Sequence, residues 1–242
     1  MKNNLRVLST AVVALLLVST GAQATNKVSS PDVTKGRWEL EYRGGFDQDE
    51  TTSKDDVQTH KFVTNYGISD RWRTEFKGVA AGHSDDVVWT YLEWSNRYQV
   101  FKENESWVKL ALQENYKFAL QDGSADKFEI AILASKDLGK FTHITNINFE
   151  NEIGANARGG TDLNLGWKTK YKYSANIEPG GEFYADFGKF GSPNSVTPNK
   201  YQLGPTVSGK ISDSAKYDVG YLFGLTHAVP DGRLKIILTY GF

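Results

Sequence analysis

Polar and apolar residues alternate along most of this chain with a period of two. Over residues 36–46, Trp38, Leu40 and Tyr42 share one parity, and Glu39, Glu41 and Arg43 take the other. Successive side chains of a strand point to opposite faces, so the segment predicts a strand with one apolar and one charged surface. The pattern returns with Trp72, Thr74 and Phe76 against Arg73, Glu75 and Lys77. It returns again with Leu163, Leu165, Trp167, Thr169 and Tyr171 against Asn164, Gly166, Lys168, Lys170 and Lys172. In residues 233–242 it sets Leu234, Ile236, Leu238, Tyr240 and Phe242 against Lys235, Ile237, Thr239 and Gly241. Twelve such strands are predicted. The fourth, about residues 87–101, carries aromatics on both parities and its facing is not assigned.

Between the strands lie clusters of Gly, Ser, Asp, Asn and Pro, the residues that tight turns and loops favour. They sort alternately into longer connections, starting near positions 47, 81, 121, 151, 188 and 227, and mostly shorter ones, near 67, 102, 137, 174 and 212. Long loops alternating with short turns, with an even strand number, predict an all-β fold: a closed antiparallel transmembrane barrel with both termini in the periplasm. Trp38, Tyr66, Trp72, Trp107, Phe141, Tyr173, Tyr217 and Tyr240 fall near the strand ends at one rim, as an interfacial aromatic girdle would.

Composition fits this reading. Aromatics are 13% of 242 residues, yet the mean hydropathy is −0.47. A helical membrane protein would be far more apolar, whereas a barrel needs apolar residues only at every second strand position. Lys2 and Arg6 precede the apolar run Ala11–Val18, and Ala22-Gln-Ala24 follows. That run is well short of the roughly 20 residues of a spanning helix, so residues 1–24 read as a cleaved secretory signal. Residues 25–35, polar and holding Pro31, read as a loose periplasmic leader, and residues 36–242 as one barrel domain. Cleavage would move the formal charge from −1 to −3, a balance that gives nucleic acid no purchase. The chain has no cysteine, which excludes disulfides and a lipid-modified thiol.

Leu238, Tyr240 and Phe242 resemble the C-terminal insertion signal of Gram-negative outer-membrane barrels. The resemblance implies an outer-membrane location, lipid around the wall, and transient partners in periplasmic chaperones and the barrel-assembly machinery. In size and strand number the chain resembles the small monomeric twelve-stranded sugar-acid channels, for oligogalacturonates and sialic acid. Two segments, Tyr66-Gly-Ile-Ser-Asp-Arg-Trp72 and Gly220-Tyr-Leu-Phe-Gly-Leu-Thr226 with Pro230-Asp231, are similar to outer-membrane proteins grouped near the phenol-degradation meta-pathway barrels. That likeness implies traffic of hydrophobic or small organic molecules.

The charged parity predicts what lines the lumen: Glu39, Glu41, Arg43, Arg73, Glu75, Lys77, Lys109, Glu129, Glu150, Lys168, Lys170 and Lys172, with Asn146, Asn148, Asp186, Lys210, Asp218 and Lys235 beside them. Such a lining predicts a narrow charged pore for passive diffusion of small polar or anionic solutes. Cross-strand ion pairing would close it, with the lysine row of positions 168, 170 and 172 meeting Glu150 and other acids on neighbouring strands. A plugged structural or receptor barrel working through its loops is the alternative. A lipid hydrolase is a third class, because outer-membrane phospholipase also has twelve strands and a Ser-His-Asn site. Its requirement is a hydroxyl within bonding reach of an oriented base. Of the bases His60, His83, His143 and His227, the second and the last fall in loops, and His143, mid-barrel on the lipid face beside Thr145 and Asn146, has no His-x-Ser or Tyr-x-x-Ser arrangement around it. The chain is therefore not read as an enzyme. No two histidines stand at metal-ligand spacing, and neither a metal nor a cofactor is expected.

Overall fold

The computed structural model describes residues 27–190 and 199–242. The expected signal at 1–24, with residues 25 and 26, and the loop prolines Pro193 and Pro198 lie outside the described residues.

Twelve strands follow one another along the chain: β1 (Trp38–Gln48), β2 (Val57–Gly67), β3 (Trp72–His83), β4 (Val88–Phe101), β5 (Lys109–Ala119), β6 (Asp126–Leu138), β7 (Phe141–Ile153), β8 (Thr161–Tyr171), β9 (Glu178–Phe190), β10 (Lys200–Lys210), β11 (Ala215–Gly224) and β12 (Gly232–Gly241). Each pairs antiparallel with its sequence neighbours. β1 pairs with β12 from Glu39↔Gly241 to Gln48↔Gly232, which closes the sheet into a barrel. Closure leaves no edge strand, so the wall's backbone groups are satisfied without water.

The faces are inverted relative to a soluble protein. Leu40, Phe62, Phe76, Leu92, Leu112, Ile130, Leu203, Phe223 and Leu238 are exposed on the outside. Glu41, Glu75, Lys77, Glu93, Lys117, Lys168, Glu182 and Lys235 are buried within. Burying charge inside while exposing large apolar side chains makes sense only where the surrounding solvent is hydrocarbon. One outward polar chain interrupts the band: Trp72 Nε1 donates to Asn96 Oδ1 at 3.1 Å, and Asn96 Nδ2 to Glu114 Oε1 at 3.2 Å.

One end of the barrel gathers the short turns, and serines close three of them. Ser69 Oγ accepts from Trp72 N at 3.1 Å, Ser174 Oγ from Ile177 N at 3.1 Å, and Ser212 Oγ from Ala215 N at 3.1 Å. A short hydroxyl side chain that bonds the backbone a few residues on stands in for a turn's own hydrogen bond. Trp38, Trp72, Trp107, Phe141, Tyr173 and Tyr240 are exposed at this end, and the Trp38 and Tyr66 rings lie 4.7 Å apart.

Two stretches depart from simple alternation. β9 begins at Glu178, a start that Pro179, Gly180 and Gly181 conceal from a reading by alternation; Pro179 pairs with Val207 although it has no N–H to give. In β4 the register slips twice, at Thr90 against β3 and at Val100 against β5. Each slip is a bulge that shifts the parity of the face, so Trp89 and Phe101 share the outer surface with Leu92, Trp94 and Tyr98. This is why the fourth strand has aromatics on both parities.

Candidate functional site: the barrel lumen

The inward charges are joined into networks. On the β1–β4 side, Arg73 bonds Glu75 at 2.5 Å and reaches Glu39 at 3.5 Å. Glu75 also meets Lys77 at 3.4 Å and Arg97 at 3.4 Å, and Lys77 leads to Glu93 at 3.6 Å, which Lys61 holds at 2.9 Å. Next to them Arg43 bonds Glu41 at 2.5 Å. On the β5–β7 wall, Lys117 bridges Glu129 at 3.1 Å and Glu150 at 2.5 Å, and Lys127 adds a second cation to Glu150 at 2.9 Å.

On the β8–β12 wall, Glu182 takes Lys168 at 2.6 Å and Lys235 at 2.5 Å, Asp218 takes Lys168 at 2.5 Å, and the Tyr184 hydroxyl donates to Glu182 at 2.7 Å. The lysine row therefore pairs with acids of other strands, as expected, but not with Glu150: Lys168 meets Glu182 and Asp218, and Lys170 meets Glu178 at 2.7 Å. Lys172 falls one residue past β8 and lies exposed at the rim, 2.7 Å from Asp137. Lys109 sits at the start of β5 against Asp32 at 2.9 Å. Nearer the long loops Arg233 pairs with Asp47, and Lys54 holds Asp49 at 2.7 Å. Burial alone would raise the Asp49 carboxyl, but hydrogen bonds from Lys54 and Thr51 outweigh it and hold the group below the usual carboxylate range.

Across this lumen runs a second feature, the N-terminal strap at residues 27–34. Composition left these residues as a loose leader, yet they pack against the inside of the wall. The strap leaves through the short-turn end, where Gly36 N donates to Gly67 O at 2.8 Å and Gly67 N to Arg37 O at 3.1 Å. Gly67 has to be glycine there, since a Cβ would stand 1.9 Å from Thr34 O.

From that end the strap crosses to β4, where Gln99 Oε1 accepts from Val33 N at 3.1 Å and Arg97 Nη1 donates to Ser30 O at 2.8 Å. It reaches β7 at Asn146, whose amide grips one residue twice: Ser29 N donates to Oδ1 at 2.6 Å, and Nδ2 donates to Ser29 O at 2.9 Å. Val28 packs with Ile144, Tyr184 and Leu222, and the Lys27 ammonium returns to Glu41 on β1. The strap thus touches the wall on nearly every side of the lumen.

Reading by parity placed Glu41, Glu75, Lys168 and their fellows, but it did not name Lys61, Glu93, Arg97, Gln99, Lys117, Glu182 or Arg233. Lys117 continues the parity of Lys109 and Gln113 and was there to be read. Glu182 likewise shares the parity of Asp186, whereas Glu93, Arg97 and Gln99 are hidden by the bulges of β4. On the outer face His143 stacks with Phe141 and Trp167, at ring separations of 6.3 and 6.0 Å, a packing role.

No family model matches this sequence, and no curated protein aligns with it. Solved structures do share its fold. The KdgM porin superposes with a TM-score of 0.59 at 12% identity, covering 84% of this chain and 99% of that one. KdgM has also been solved in complex with disordered oligogalacturonate, and that structure matches with a TM-score of 0.57. The NanC porin gives 0.59 at 8% identity over 83% and 98% of the two chains. The COG4313 outer membrane channel from Pseudomonas putida F1 gives 0.61 at 10% identity over 92% and 99%. The fold is that of the twelve-stranded outer-membrane barrels.

Proposed function

We propose that this chain is an outer-membrane channel for the passive diffusion of small polar or anionic solutes, with a lumen that its own N-terminal strap narrows. The observation that carries the reading is a closed barrel with an apolar exterior and an interior in which networks of charged and polar groups predominate. Porins and outer membrane channels with the same fold support it. Paired charges along a narrow path select by local field and size rather than by net charge.

The strap favours a second reading, a barrel closed for good that serves as a structural or receptor element through its loops. Conductance across a planar bilayer separates the two. The channel reading expects ion currents from the purified protein, enlarged by Val28→Asp, which puts a carboxylate into the contact with Ile144, Tyr184 and Leu222. Silence from both proteins would overturn the channel and leave the closed barrel.

A further inference from the structure

The strap is held in an unusual way for a segment inside a β-barrel. It forms no ladder with any strand, and four of its main-chain groups bond wall side chains on β4 and β7. Asn146 on β7 takes both the N–H and the C=O of Ser29, Arg97 on β4 takes the C=O of Ser30, and Gln99 takes the N–H of Val33. Side chains that read backbone amides accept an extended peptide whatever its side chains are.

Specificity is added at two neighbouring places. Ile144, Tyr184 and Leu222 form an apolar pocket filled by Val28, closed on one side by Gly166, where a Cβ would come within 3.2 Å of Val28 Cγ2. Next to the pocket Glu41 faces the Lys27 ammonium. The carboxylate keeps Arg43 and Thr239 as partners, so Glu41 stays charged and solvated by protein when Lys27 leaves.

We propose that the lumen is a binding site for short extended peptides, with a cationic residue followed by a β-branched apolar one, and that the strap is its resident occupant in cis. Asn146 is the anchor of the site, Glu41 its cation subsite and the Ile144–Tyr184–Leu222 pocket its apolar subsite. A soluble peptide of this chemistry competes with the strap for the same contacts. The inference deepens the channel reading, on which any passage of such peptides rests, but the binding itself is measurable without conductance.

The test uses the full chain carrying Lys27→Glu together with Val28→Asp, which sets two carboxylates against each other at Glu41 and drives the strap out of the apolar pocket, and in parallel Val28→Asp alone. Folding of each is checked by strand circular dichroism and heat-shifted electrophoretic migration in detergent. The probe is a fluorescein-labelled synthetic peptide with the sequence of residues 27–36, followed by anisotropy. Saturable binding in the micromolar to low millimolar range is expected, weakened about tenfold or more by adding Asn146→Ala, since two backbone hydrogen bonds are lost. A scrambled peptide should fail to bind. Absence of saturable binding to either folded variant, or binding that the scrambled peptide and the Asn146→Ala protein share equally, overturns the proposal. If the peptide binds while no variant conducts, the site stands and the channel reading alone falls.

Discussion

Lys235 and Glu182 show how the barrel keeps charge out of water without leaving it bare. Lys235 is 1% exposed and Glu182 0%, and Glu182 is gripped by two ammonium groups and the Tyr184 hydroxyl. A buried pair is weak evidence of net stability, but removing one partner leaves an uncompensated buried charge and costs about 3–5 kcal/mol. Glu182→Gln keeps the shape and removes the charge that both Lys168 and Lys235 face. A loss of that order is expected in the urea unfolding free energy of the protein in lipid, while Lys170→Met, at a partly exposed pair, should cost about 1 kcal/mol or less. Equal effects from the two would mean that the wall does not distinguish buried networks from rim pairs.

At the scale of the strand, the alternation of outer and inner residues is what turns one sequence into two surfaces. β8 needs nothing more than its parity. β4 needs its two bulges, which bring Leu92 to the lipid face and Glu93, Ser95, Arg97 and Gln99 to the lumen. Leu92→Arg tests that register, because a cationic side chain on the lipid face costs about 2–4 kcal/mol near the midplane and much less toward the interfaces. The expected outcome is a large drop in unfolding free energy in lipid vesicles, and a silent substitution would move Leu92 off the lipid face.

Most of this level was legible beforehand. The strand order, the turn ends and the parity of β1, β3, β8 and β12 follow from a period of two that lipid and water impose on opposite faces. What parity could not supply were the bulges, which add a residue without any marker in composition, and the start of β9, where proline and glycine speak against a strand that its neighbours nevertheless pair. Ion partners were equally closed to it. Whether Lys168 meets Glu150 or Glu182 depends on register between strands, and Lys168 lies opposite Ile144 on one side and Glu182 on the other.

At the scale of the whole molecule, the wall sets the lumen and residues 27–34 decide how much of it is open. Nothing in the strap's own residues announces this. Polar, proline-bearing and without periodicity, they look like a tether, because the groups that hold them are spread over β1, β4 and β7 and come together only when the barrel closes. Long-range convergence of this sort is a property of the fold rather than of any segment. It also makes the strap separable in principle from the wall, whose hydrogen bonds run strand to strand and do not include it.

The chain's lack of cysteine allows the strap to be locked at will, and this is the most direct measurement of the account. With Val28→Cys and Gly166→Cys together, the two thiols face each other across the contact that Val28 now makes. The account predicts that they cross-link under mild oxidant, that the oxidised protein carries less current across a planar bilayer than the same protein after reduction, and that reductant restores the difference reversibly. Thiols that remain free under oxidant, or currents identical before and after reduction, would contradict a lumen governed by its own N-terminal segment.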